Sequence, residues 1–211
     1  MEILKLSNNN KNFDTVLSTV ISSLYDPGCF VLVPTDTVYG FVCLWNDEVA
    51  KININLTKKR KKYQPLQMLV DNVNIVKSYY GIIPQKIEKI INSPYSKMIT
   101  FIVPTQYKYK IGFRISNNKL LSSIVKKIKI PLAATSVNIS NKKPIDNTLN
   151  KNSFLNHISK NFDIMPNLII YSNNINNNIN STIIDIDINN NIKEIREGII
   201  SFKKIYSIID R

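Results

Sequence analysis

Lys58 and Arg60 follow the end of a helical pattern, with Pro65-Leu66 just beyond them, while Gly112-Phe113-Arg114 and Arg196-Glu197-Gly198 set two further arginines beside glycines. The run Thr135-Ser136-Val137-Asn138-Ile139-Ser140 adds a cluster of hydroxyls and an amide. Arginine clamps planar or tetrahedral anions through two parallel hydrogen bonds, and lysine adds a point charge beside it. Serine and asparagine supply short neutral donors. Together these residue types can hold an anion, and a phosphate is the obvious one. The sequence has neither GxxxxGK[ST] nor GxGxxG, so a phosphate site would have to be built from this other set.

Each piece also has a plainer role. Lys58 to Lys62 could be a solvated helix end that offsets the dipole. The Ser/Asn cluster could be turn chemistry. Arg114 and Arg196 could sit in surface ion pairs, and Thr35 and Thr37 could simply close a strand. His157 has no ligand partner in sequence, so a structural or surface role is expected. Cys29 and Cys43 read as core thiols, too few for a disulfide framework or a zinc site. With one His and two Cys, multi-histidine metal centres and redox dyads leave the list, and no protein metal site is expected.

The chain carries 28 Lys plus Arg against 15 Asp plus Glu, a net charge of +13 over 211 residues. Such an excess ordinarily suggests nucleic acid. Here Ile, Asn and Lys dominate the composition, so much of the basicity reads as compositional drift, and the scarce residues carry more information. Only four Arg are present, at 60, 114, 196 and 211, and five Gly, at 28, 40, 81, 112 and 198.

The elements that must position these residues alternate between helix and strand. Phe13, Val16, Leu17, Val20, Ile21 and Leu24 recur with helical spacing and stop at Asp26-Pro27-Gly28. A buried strand is expected over Cys29 to Val33, and Pro34 to Gly40 leaves it. Val49, Ile52 and Leu56 suggest a helix running into Thr57 to Lys62, and Leu66 to Val70 a strand. Ile87, Ile90 and Ile91 mark a helix, Met98 to Val103 and Ile111 to Ile115 strands. Leu121, Ile124, Val125 and Ile128 give a helix before a strand at Pro131 to Thr135. A helix is expected over 147–160, strands near 168–172, 182–188 and 199–202, and an exposed Asn-rich loop over 173–180. The pattern predicts an α/β fold, one domain over 1–211, with a twisted mixed parallel and antiparallel sheet flanked by helices. No apolar run approaches about eighteen residues, and Met1-Glu2-Ile3-Leu4-Lys5 does not resemble an address segment, so a cytoplasmic protein without membrane contact is expected.

Taken in order, Pro34-Thr35-Asp36-Thr37-Val38-Tyr39-Gly40, Lys58-x-Arg60 with Pro65-Leu66, Thr100-Phe101-Ile102-Val103-Pro104, Gly112-Phe113-Arg114, Thr135 to Ser140, Ser181-Thr182-Ile183-Ile184-Asp185 and Arg196-Glu197-Gly198 resemble the successive motifs of the YrdC-like threonylcarbamoyl-AMP synthases. The match runs over about residues 13–203 and is similar to the short form of the family, without an extra C-terminal domain. The resemblance implies a YrdC-like fold. It also implies a nucleotidyl transfer in which L-threonine, bicarbonate and ATP give L-threonylcarbamoyl-AMP and pyrophosphate, for N6-threonylcarbamoyladenosine in tRNA. Carried over, Lys58, Arg60 and Arg196 look like ligands of the ATP phosphates, Lys58 and Arg60 being the catalytic pair, with Ser136, Asn138 and Ser140 completing the nucleotide side. Thr37, Arg114, Ala134 and Ser181 look like the threonine or carbamate side. Mg²⁺ would come with ATP, and a threonylcarbamoyl transferase complex would take the product.

The chain departs from the family pattern at three places. Tyr95-Ser96-Lys97-Met98 replaces a Trp-Pro-Gly-Pro stretch, Ser116-Asn117-Asn118 replaces Pro-x-His, and Asn141 stands where a Gly usually follows. The rival expectation is a non-catalytic protein of the same fold that binds tRNA or double-stranded RNA. Against it, no RNA-recognition motif is present, and aromatics do not interleave with the basic runs as a stacking platform requires. A carbamoyl-transfer domain like those of hydrogenase maturation factors would be expected alongside acylphosphatase and zinc-finger modules, which this sequence lacks.

Overall fold

The computed structural model describes residues 2–6, 12–81, 83–140, 142–146, 148–172 and 179–210. The first apolar stripe forms α1 (Phe13–Tyr25), which buries Val16, Leu17, Val20 and Leu24 and ends at Asp26. Around it the chain builds β1 (Glu2–Lys5), β2 (Val31–Val33), β3 (Gly40–Leu44), α2 (Glu48–Thr57), β4 (Gln67–Val70), α3 (Val73–Tyr80) and α4 (Gln85–Ile91). The second half adds β5 (Ile99–Pro104), β6 (Lys110–Ile115), α5 (Lys119–Ile128), β7 (Leu132–Ser136), α6 (Lys151–Asn161), β8 (Leu168–Tyr171), β9 (Thr182–Ile186), β10 (Ile192–Arg196) and α7 (Phe202–Ile209).

All ten strands join one mixed sheet in the order β1-β8-β2-β3-β7-β4-β6-β5-β9-β10. Four pairs are parallel (β1 with β8, β2 with β8, β4 with β6, β5 with β9) and the other five antiparallel. Helices cover both faces. α1 and α5 pack on Val31, Val33, Val42 and Leu132. α2 and α6 meet Phe41, Cys43 and Ala133, with Phe154 and Ile158 as anchors. α3, α4 and α7 close over Phe101, Phe113 and Ile184. Burial of this kind contributes about 25 cal/mol per Å² of apolar surface.

Several expected elements need correction. α2 is present, but Val49, Ile52 and Leu56 are its exposed side; the packed face is Ala50, Lys51, Ile54, Asn55 and Thr57. Apolar residues lie on both sides of this helix, so their period is readable and their phase is not. Residues 199–202 are not a strand. Ile199 N–H donates to the Asn180 carbonyl (3.0 Å) and Ile200 N–H to Thr182 Oγ1 (3.1 Å), after which Ser201 caps α7 through a bond from Lys204 N–H. β1, β3, α3 and β10 also lay outside the sequence reading. The helix expected over 147–160 begins at Lys151 under an Asn150 cap, and residue 147 lies outside the described residues. So do 173–178 of the expected Asn-rich loop, and Asn141.

Side chains alternate across a strand, and here the alternation sorts core from cavity. Phe101 and Val103 on β5, Ile111, Phe113 and Ile115 on β6, and Ile184 and Ile186 on β9 point into the packed core. Thr100 and Ile102, Gly112 and Arg114, and Ile183 point the other way and line a cavity. Register brings these cavity-facing residues side by side: Leu69 with Arg114, Ile102 with Gly112, Thr100 with Ile183, and Gln67 with Ala134.

Candidate functional site

Every residue singled out from sequence (Thr37, Lys58, Arg60, Arg114, Ala134, Ser136, Asn138, Ser140, Ser181 and Arg196) lines one cavity of about 530 Å³. They arrive from well-separated parts of the chain. Thr37 lies between β2 and β3, Lys58 and Arg60 follow α2, and Ala134 sits mid-strand in β7, which Ser136 ends and whose following loop carries Asn138 and Ser140. Arg114 sits on β6, Ser181 precedes β9, and Arg196 ends β10. Among the described residues the lining includes Lys58, Arg60, Lys110, Arg114 and Arg196 and no Asp or Glu. Low-dielectric walls focus such a field, so the cavity is suited to an anion of more than one charge.

Lys58 caps α2 and is 2% exposed. Its ammonium has three protons to give, and its bonds run to the Ser136 carbonyl, the Asn138 carbonyl (2.8 Å) and Asn138 Oδ1 (3.0 Å). Ser136 Oγ–H donates to the same Asn138 Oδ1 at 2.6 Å, and Ser140 N–H donates to the Lys58 carbonyl at 3.1 Å. The lysine thus gathers the loop that supplies the hydroxyls. Burial, reinforced by the Arg60 charge, pulls its amine down to about 7. From there up to the ordinary value of 10.5 the folded state holds fewer protons than the unfolded chain, so this group makes stability rise with pH across that window. Denaturant titrations should therefore give an unfolding free energy that climbs between about pH 7 and pH 9, with the climb reduced in Lys58→Met. Equal slopes in both proteins would mean that the three oxygens keep the amine charged.

Arg60 is braced from behind. Nη1 donates to Asn55 Oδ1 (2.9 Å) and to the Gln64 carbonyl (3.0 Å), and Nη2 to Thr135 Oγ1 (3.4 Å). Its Nε is buried without a partner among the described residues. Burial lowers its pKa, yet an arginine stays charged in any such setting.

Arg114 is 3% exposed and already faces a carboxylate. Nη2 meets Asp36 Oδ2 at 3.2 Å, Nη1 donates to Thr37 Oγ1 at 3.0 Å, and Nε to the Lys97 carbonyl at 3.1 Å. A guanidinium has five N–H donors, so these bonds leave two for a ligand. Asp36 is held in turn by Ser116 Oγ–H (2.9 Å) and Asn117 N–H (3.1 Å). Two departures from the family pattern converge here, since Lys97 and Ser116-Asn117 both support this pair, and Lys97 Nζ bonds Asn117 Oδ1 at 2.7 Å. Asn118 caps α5 by accepting from Leu121 N–H.

On the other wall, Ser181 Oγ and Thr100 Oγ1 are 2.8 Å apart, and Thr100 donates to Gln67 Oε1 at 2.9 Å. Because Thr100 has one proton and gives it to Gln67, Ser181 is the donor to Thr100. Arg196 Nη2 donates to the Ser181 carbonyl at 2.9 Å, tying β10 to the start of β9. Gly198 makes that approach possible: a Cβ there would stand 2.3 Å from the Asn180 carbonyl oxygen and 2.6 Å from the Ser181 backbone. Gly198→Ala should therefore push Ser181 and Arg196 apart and cost about 2 kcal/mol or more, comparable to other backbone clashes. Its unfolding midpoint against the parent measures this, and an unchanged midpoint would show that the two segments move freely.

Sequence reading overlooked several contributors. Asp36, which orients Arg114, was visible inside a motif but carried no role. Gln67 stood outside every motif and Thr100 inside one without a role; both share the cavity face through strand register, which spacing alone does not reveal. His157 is exposed on α6, Cys43 is buried in the core, and Cys29 is half-buried. Among the described residues no group of His, Cys, Asp and Glu could hold a metal ion, and no helix is long and apolar enough to cross a membrane.

The Sua5_yciO_yrdC family model, described as telomere recombination, matches residues 23–198. No curated protein sequence matches the chain. Among solved structures, P. abyssi Sua5 complexed with L-threonine superposes with a TM-score of 0.78 at 19% identity, covering 99% of this chain and 60% of that one. This chain thus spans about three-fifths of that protein's length. E. coli YciO superposes with a TM-score of 0.70 at 17% identity, covering 97% and 98% of the two chains. T. kodakarensis HypF gives 0.62 at 14% identity, covering 89% of this chain and 24% of that one. At these identities the likeness is one of fold.

Proposed function

The chain belongs to the Sua5–YciO–YrdC family, and from that premise we propose that it is an L-threonylcarbamoyladenylate synthase serving tRNA N6-threonylcarbamoyladenosine. The observation that carries the reading is a cavity whose lining, among the described residues, has five cationic side chains and no carboxylate. The proposed reaction joins two anions. Threonine's amine adds bicarbonate, losing water, to give a carbamate. A carbamate oxygen then bonds to the α-phosphorus of ATP while the bond to the β-phosphate oxygen breaks, and pyrophosphate leaves. Positioning and cationic stabilisation supply most of the rate for such a step.

In this scheme Arg60 and Arg196 take the phosphates, and Lys58 does so as it gives up part of its hold on Asn138. Ser136, Asn138 and Ser140 complete the nucleotide side. The two free N–H groups of Arg114 take the threonine carboxylate, beside Thr37, Ala134 and Ser181. Mg²⁺ enters as part of the MgATP substrate, since the cavity lining offers it no carboxylate. Within this reading the product passes to a tRNA-modifying transferase.

The test is direct. Purified protein with ATP, Mg²⁺, bicarbonate and labelled L-threonine should release pyrophosphate only when threonine is present and form labelled threonylcarbamoyl-AMP. Folded protein that yields neither, at saturating substrates, would remove the synthase reading.

A further inference from the structure

The outward face of α2 is apolar where a solvated helix is ordinarily polar. Ala50, Ile54 and Thr57 pack inward, while Val49, Ile52 and Leu56 stand at 57%, 48% and 57% exposure. At positions i, i+3 and i+7 these three side chains lie within about 60° of one another around the helix, so they form a single stripe. The drift that fills this chain with Ile, Asn and Lys accounts for only one of them, since the other two are Val and Leu. Contiguous exposed aliphatic side chains with charged residues at their rim mark a surface that something covers.

The helix is fixed at both ends, so the stripe is presented in one orientation. Asp47 Oδ1 caps it by accepting from Ala50 N–H at 2.8 Å, while Asp47 Oδ2 accepts from Gly28 N–H at 2.8 Å. Asn53 Nδ2 donates to the Gly28 carbonyl at 2.9 Å, and beyond the last turn Lys59 Nζ meets Asp163 Oδ2 at 3.0 Å. Charge divides along the same line. Asp26, Asp47 and Glu48 gather at the N-terminal end, with Lys51 turned to Glu48 (2.7 Å) and to the Trp45 ring. Lys59, Lys61 and Lys62 follow the C-terminal end, where Lys59 is paired with Asp163. The first end carries a net negative charge and the second a net positive one.

A face with an apolar middle, an acidic end and a basic end is complementary to itself turned end for end, which is what a two-fold interface requires. We propose that the chain forms a two-fold dimer through this face, with α2 antiparallel to α2 of a second copy. Val49 of each copy then meets Leu56 of the other, the two Ile52 side chains meet near the axis, and Glu48 of each copy approaches Lys59 of the other. Antiparallel helix dipoles act in the same sense. An anionic membrane surface would repel the acidic end. A face built on one ten-residue helix is small beside the about 800 Å² per partner of stable complexes, so the dimer is reversible, with a Kd on the order of tens of micromolar. The inference does not rest on the synthase reading, because Val49, Ile52 and Leu56 line neither that cavity nor the smaller one beside it.

Sedimentation velocity on the full chain at low salt, across about 1–300 µM protein, brackets such a constant and should show monomer passing into dimer. Ile52→Glu should weaken association more than about tenfold, because it sets two carboxylates against each other at the axis, while the melting temperature of the monomer stays that of the parent. Glu48→Lys and Lys59→Glu should each weaken it about tenfold, since like charges then meet at both ends. An equimolar mixture of those two variants should regain the parent's affinity, because each supplies the charge that the other lacks. A chain that stays monomeric throughout the range overturns the proposal. So does a dimer that Ile52→Glu leaves intact, or a mixture that associates no better than either variant alone.

Discussion

Arg60→Ala is expected to lower threonine-dependent pyrophosphate release by about two to three orders of magnitude, the cost typical of removing one preorganised donor from a developing anion. The physical basis is the bracing of its guanidinium by Asn55, Gln64 and Thr135, which fixes the fork before any ligand arrives. Because those partners are part-exposed or hold other bonds, the fold should survive; Asn55 Oδ1, for instance, also accepts from Gln64 N–H at 3.0 Å. Steady-state rates with a melting curve on the same sample separate the two effects. Turnover equal to the parent's would show that the phosphates lie elsewhere.

Arg114→Lys should raise the KM for threonine by more than tenfold while leaving the KM for ATP close to that of the parent. Lysine keeps the charge against Asp36 but lacks the planar fork that meets Asp36, Thr37 and the Lys97 carbonyl while keeping two N–H groups for a ligand. Arg114→Ala is the poorer probe. It would leave the partly buried Asp36 carboxylate beside Ser116 and Asn117 without its guanidinium, a destabilisation that confounds folding with binding. Asp36→Asn offers the complementary check, weakening threonine use through a residue that never reaches the cavity. A defect confined to ATP in either variant would contradict the assignment.

Much of this site was legible because arginine and glycine are scarce in a chain rich in Ile, Asn and Lys. Arg60, Arg114, Arg196 and Gly198 stood out by type, and the cavity gathers them. The α/β class followed from α1 and α5, whose single apolar stripes leave one possible phase. α2 carries apolar residues on both sides, which reveal the helix and hide its face, and the face that packs includes Lys51, whose ammonium finds Glu48 and the Trp45 ring. β10 and α7 escaped for a related reason. β10 is an exposed edge with little burial to imprint a pattern, and the Ile199-Ile200 pair before α7 imitates a strand while bonding to the start of β9. Asp36 was hidden differently, since its role exists only after β6 and the 95–98 turn have closed around it.

The alternation along β5, β6 and β9 has a consequence for how this chain tolerates change. Isoleucine occupies core-facing positions 99, 111, 115, 184 and 186, where one branched apolar residue can replace another and the opposite face does not register it. Substitutions of that kind can accumulate without altering the cavity lining. A deletion of one residue in β6 ahead of Phe113 is a different event: it would bring Arg114 to the core-facing place of Phe113 and put the Phe113 ring at the cavity-facing place of Gly112. Frame along these strands, more than residue identity in the core, is what the site is sensitive to.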